Sequence, residues 1–183
     1  VNELQMIFWM REITEIVLLD YIFSQQDRIG NIDFRWYWYW VQDGKVMKKS
    51  HKGKFNRSKM SRETPPADIA QHKPVLIQRT AINDNDAGGR VPYTNFAKKT
   101  GMPQKLRHFS KKTYDKLVAL EKDLQSGGSI HQYIEANFVL DSSQRRQITK
   151  NTRLALDILK DTHDLGKLQF DLDKPSGHLL REA

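Results

Sequence analysis

At 183 residues the chain has room for one domain or for one lobe of a larger one. Hydrophobic residues make up 38% of it, enough for a core, and a formal charge of +8 favours an acidic, phosphorylated or nucleic-acid partner over a basic one. The absence of cysteine excludes disulfides, thiolate metal sites and thiol nucleophiles, and suits a cytoplasmic setting.

Residues 2–24 read as a single long helix. Leu4, Ile7, Phe8, Trp9, Ile13, Ile16, Val17, Leu18, Tyr21 and Ile22 fall on nearly every face, the pattern of a central, buried helix. Arg11, Glu12, Glu15 and Asp20 interrupt the run well short of the roughly 20 apolar residues that cross a bilayer, and no basic leader precedes it, so no membrane span is expected. A polar turn over 25–31 follows. Phe34 to Val41 then reads as an aromatic strand, Asp43-Gly44 as a type I′ turn, and Lys45-Val46-Met47 as the start of the return strand. Alternation sets Trp36, Trp38 and Trp40 on one face and Arg35, Tyr37 and Tyr39 on the other, and both faces are bulky enough to require cover. Such a row is core more often than it is a base-stacking platform.

Residues 48–72 change character. Lys48, Lys49, Lys52, Lys54, Arg57, Lys59 and Arg62 arrive with no acid before Glu63, and the stretch reads as an inserted basic loop. Residues 45–62 are accordingly where a nucleic acid or an acidic protein would bind. Pro74 to Ile82 reads as a strand that opens into Asn83-Asp84-Asn85-Asp86-Ala87-Gly88-Gly89-Arg90, the polar, glycine-rich kind of segment on which sites are built. A helical calcium loop starting at Asp84 would need a glutamate where Asn95 stands. The remainder is helical: Ser110 caps a helix over 111–125 that ends at Gly127-Gly128, a short helix covers 130–137, and Asp141 or Ser142 caps a longer one with Ile148, Leu154, Leu156, Ile158 and Leu159 inward. His163-Asp164 and Asp171-Leu172-Asp173 read as incidental. Residues 167–183 read as a loosely structured tail, and the whole as an α+β lobe over 1–166, mostly helical with a small antiparallel hairpin or sheet.

A buried helix, then Asp27-Arg28-Ile29-Gly30-Asn31, a hairpin, a strand and Asp84-Asn85-Asp86 make up an order that phosphoryl transfer can use. That chemistry needs one carboxylate to take the acceptor's proton, and an amide and a second carboxylate to hold Mg²⁺ against the phosphates. Here the chain resembles the C-terminal lobe of the atypical kinases, the branch of phosphatidylinositol kinases, HipA-like toxin kinases and secretory-pathway kinases. The first motif resembles their Asp-Arg-His-x-x-Asn catalytic loop and the second their Asp-Phe-Gly or Asp-Asn-Gly metal loop; Phe109 to Leu117 resembles a helix start of the same branch. The likeness covers roughly the first 120 residues. It implies Asp27 as catalytic base within the Asp27-Arg28 pair, Asn31 and Asp84 as cofactor and metal ligands, and Asp86 or Asp33 as a further ligand, with Mg²⁺ and ATP as cofactors. Ile29 replaces the branch's histidine, and Asn31 comes one residue early, so Asp33 is the alternative to it.

No Gly-rich loop and no strand lysine precede the first helix, so the ATP phosphates would have to be gripped by a lobe from another chain or from a removed segment. With Val1 as its first residue, the sequence reads as a piece of a longer product. The alternative expectation is an inactive, pseudokinase-type structural or assembly protein that binds nucleic acid or an acidic partner.

Overall fold

The structure, a computed structural model, describes residues 3–26, 28, 31–52, 63–82 and 95–181. It is an α+β fold with a three-stranded antiparallel sheet and a two-stranded parallel one. Two compact units divide the chain: residues 1–9, 33–81 and 174–183 form one, and residues 10–32 and 82–173 the other. Helix α1 (Glu3–Phe23) contributes to both.

The first unit is built on the aromatic hairpin. β1 (Ile32–Gln42) pairs antiparallel with β2 (Lys45–Ser50), with Trp40 opposite Met47 and Gln42 opposite Lys45. Asp43 and Gly44 both take positive φ, 51° and 74°, as the tight type I′ turn between right-twisted strands requires. β3 (Val75–Ile82) lies on the other side of β1, giving the order β2-β1-β3. Both faces are covered, as the alternation predicts. Tyr39 packs with Leu4, Phe8, Ile77, Leu179 and Leu180 on one side, while Trp38 and Trp40 pack with Ile69 on the other. Trp40 also stacks on His72 at 6.2 Å and 17°. These rings are core, not a stacking platform. The buried Gln5 side chain seals the outer edge of β3: its amide donates to Gln78 C=O (2.9 Å), and its oxygen accepts from Gln78 N–H (2.7 Å). An edge strand left open would template pairing with another chain.

Two stretches differ from the sequence expectation. Within 48–72, β2 continues to Ser50, and α2 (Ala67–Ala70) buries Ile69; residues 53–62 lie outside the described residues. The tail expected to be loose carries β5 (Gln169–Phe170) and α7 (Ser176–Arg181), with Leu168, Leu172, Leu179 and Leu180 buried. Leu168, Leu172 and the Leu179-Leu180 pair are too few within this polar stretch to mark an element by pattern, and it is tertiary burial that orders them.

The second unit is helical. α3 (Phe96–Lys99) and a 3₁₀ turn (Pro103–Lys105) lead to β4 (His108–Phe109), which pairs in parallel with β5. α4 (Lys111–Ser126) is capped by Ser110, whose hydroxyl accepts from Thr113 N–H, and ends at Gly127 with φ 68°. α5 (Ser129–Asn137) follows, then α6 (Ser142–Asp164), where Asp141 and Gln144 form a reciprocal capping box. The core joins Leu18, Tyr21 and Ile22 to Phe109, Leu117, Leu124, Ile148, Ala155, Leu159 and Leu168. Among the described residues, no helix is long and apolar enough to cross a membrane.

Candidate functional site

The turn that follows α1 is held from three sides. Ser24 adopts a left-handed φ of 54°, and Gln25 N–H donates back to Asp20 C=O at 3.0 Å, the bond that closes a helix end with a left-handed residue. A serine there, where glycine is usual, has a use for its side chain. Its fully buried hydroxyl accepts from the amides of Asn95 (3.2 Å) and Asn151 (3.1 Å), which also donate to Tyr21 C=O (2.7 Å) and Ile22 C=O (3.2 Å). The last carbonyls of α1 are thereby satisfied by side chains from far along the sequence.

Arg28 turns back onto the same helix. Its Nε donates to both Asp20 oxygens at 3.0 Å and its Nη2 to Oδ1 at 2.7 Å, with the two side chains 11% and 9% exposed. Arg28 thus serves as a brace within the candidate catalytic turn. Asn31 N–H donates to Arg28 C=O at 3.0 Å, which tightens the turn before β1. Asn31 is half-buried and Asp33, in the first residues of β1, is exposed. Asp27, Asp84 and Asp86 lie outside the described residues. Of the ligand set implied for Mg²⁺, Asn31 and Asp33 are therefore the described members, and both offer the oxygen donors that this ion takes. Among the described residues no three histidines or carboxylates converge as a metal group.

Strand polarity bears on the two acidic motifs. β1 and β3 are antiparallel neighbours, so the start of β1 and the end of β3 lie at the same end of the sheet. The first motif leads into β1, and the second leaves β3.

A second feature was missed in the sequence. A groove of about 640 Å³ in the helical unit is lined by Gln125, His131, Ser142, Arg145, Arg146, Thr149, Lys150 and Arg153. Its cations sit at positions 145, 146, 150 and 153, which helical periodicity gathers on one side of α6. The inward apolar stripe draws attention away from this pattern, although the spacing alone would have revealed it. Compared with known proteins, the chain matches no family model, no curated protein and no solved structure.

Proposed function

We propose that the chain is the C-lobe of a kinase-like phosphotransferase, acting on Mg²⁺–ATP with a nucleotide-gripping lobe contributed by another chain or by another part of a longer product. The observation that supports this reading is strand polarity: the segments carrying Asp27 and Asn31 on one side, and Asp84 and Asp86 on the other, attach to the same end of one sheet. The sequence distance between the motifs is then no obstacle to a shared site. In this reading Asp27 takes the proton of an acceptor hydroxyl, and Asn31 and Asp84, with Asp86 or Asp33, hold Mg²⁺, while ATP supplies the phosphoryl group. Arg28, bound to Asp20, fixes the turn that presents Asp27. A chain without cysteine suits the cytoplasm, where thiols are kept reduced.

The test is transfer of labelled γ-phosphate by the native assembly in the presence of Mg²⁺, with Mg²⁺–ATP binding measured alongside by calorimetry. Asp27→Ala is expected to lower transfer at least about a hundredfold with nucleotide binding retained. Asp84→Ala is expected to abolish Mg²⁺-dependent binding. Wild type and both variants behaving alike in both measurements would remove the mechanism.

A further inference from the structure

From Ser142 to Leu156, helix α6 carries four cations and no acid, and all four cations line the groove. Arg145 is anchored: Nη1 donates to Leu140 C=O at 3.0 Å, and Nε lies 3.6 Å from Glu135 on α5. Arg146, Lys150 and Arg153 are exposed, and none has a carboxylate within 4 Å among the described residues. Lys150 follows Arg146 at i+4, and Arg153 follows Lys150 at i+3, so three like charges stand about one helical turn apart. Like charges at these spacings repel and cost the helix stability, which a bound anion would return. The site is not a helix N-terminus in another guise. The N–H groups of Ser143 and Gln144 are already held by Asp141, at 2.7 and 2.8 Å, so side chains carry it.

The lining also limits the ligand. It contains no carboxylate, no aliphatic side chain and no Phe, Tyr or Trp, so nothing in it selects an acyl chain or stacks on a base. Its hydroxyls, from Ser142 and Thr149, add neutral donors to three guanidinium groups and an ammonium, and the guanidinium fork matches phosphate oxygens. The volume of about 640 Å³ is that of a small-molecule site, within the usual range of about 300–1,000 Å³. Beyond Arg153 the sign reverses. Asp157, Asp161 and Asp164 continue the same exposed face at i+4, i+8 and i+11, with Lys160 among them. A long polyanion laid along α6 would run off the cations onto these carboxylates, whereas a compact one ends before them. Three cations at one-turn intervals suit an anion of matching charge density, which adjacent phosphate groups supply and a single phosphate does not.

We propose that this groove binds a compact polyphosphorylated small molecule, its adjacent phosphates held by Arg146, Lys150 and Arg153. The proposal does not rest on the phosphotransfer reading. The test is calorimetry of the full chain at low salt in EDTA, so that no Mg²⁺-dependent nucleotide site contributes. Inorganic tripolyphosphate, ATP and inositol hexakisphosphate are the probes, and the tightest of the three identifies the source of the phosphates. Each is expected to bind at least about tenfold more tightly than orthophosphate, since one phosphate cannot engage all three cations. R146Q/K150Q/R153Q is expected to weaken the tightest probe at least about tenfold. K98Q/K99Q/K105Q removes the same charge from exposed positions elsewhere in the helical unit and is expected to change it less than about twofold. Thermal melts provide a second readout: the probe is expected to raise the melting temperature of the wild type and of the control variant, and not of the groove variant. Equal weakening by the two triple variants would overturn the proposal, reducing the effect to net charge. Orthophosphate as tight as the probes, or oligothymidylate or poly-glutamate tighter than all of them, would overturn it as well. So would no binding of any probe, a result that leaves Mg²⁺-dependent transfer untouched.

Discussion

Arg28 and Asp20 illustrate how a residue within a candidate catalytic motif can have its role fixed by a partner outside it. Both side chains are about nine-tenths buried and joined by three hydrogen bonds, so each charge is tolerable because the other is present. Asp20→Asn is expected to lower unfolding stability by about 3 kcal/mol, because it strands a buried guanidinium. Replacing both residues, as in D20L/R28M, is expected to recover most of that loss, since no uncompensated charge is left behind. Urea denaturation of the three proteins checks this, and a double variant no more stable than Asp20→Asn would contradict it. If the pair braces the turn that carries Asp27, the double variant will fold and still transfer phosphate poorly.

The helix starts of the second unit depend on carboxylates. Asp141 caps α6, and hydrogen bonds from the Ser143 hydroxyl and the Gln144 N–H hold its carboxyl below the usual range. Burial pushes Asp173 up, but the Ser110 hydroxyl and the N–H groups of Lys112 and Lys111 outweigh it, and its carboxyl also ends low. Groups whose folded pKa is depressed stabilise fully above the unfolded value of about 4, and that contribution fades as pH falls through the folded pKa. Thermal melts followed by circular dichroism are expected to be level from pH 7 to about pH 5 and to drop below about pH 4. Asp173→Asn is expected to shrink that drop, and an undiminished drop would count against the assignment. Most elements were legible in advance because each carries a local signature: Asp43-Gly44 for the hairpin, Ser110 and Asp141 for helix starts, and Gly127 for a helix end. β5 and α7 were not, because a few leucines in a polar stretch become informative once their burial is known. Of the candidate site, the two acidic motifs were legible as types and spacings. The Asp20 partner and the Asn95 and Asn151 clamps were not, since they join residues that no local pattern connects.

Each unit of the molecule has cores of its own: the two faces of the β1 sheet in one, and the cluster around Phe109 and Leu159 in the other. All four tryptophans, Trp9, Trp36, Trp38 and Trp40, belong to the first unit, whereas α4, α5 and α6 belong to the second. Tryptophan emission therefore reports the first unit, and helical dichroism mainly the second, which holds most of the helical residues. Leu159→Ala, which empties a fully buried position on α6, is expected to destabilise the helical unit by about 2–5 kcal/mol. In a urea titration the dichroism midpoint is expected to fall by more than the tryptophan midpoint. Equal shifts in both would mean that the chain unfolds as one cooperative block.

The order β2-β1-β3 also changes how the long interval between the acidic motifs should be viewed. A chain that runs out along β1 and comes home along β3 ends up displaced sideways by about one strand spacing, ~4.8 Å, plus any offset in register. Everything between Ile32 and Ile82 is then a round trip. Ribbon added to that excursion lengthens the journey and leaves the point of return where it was.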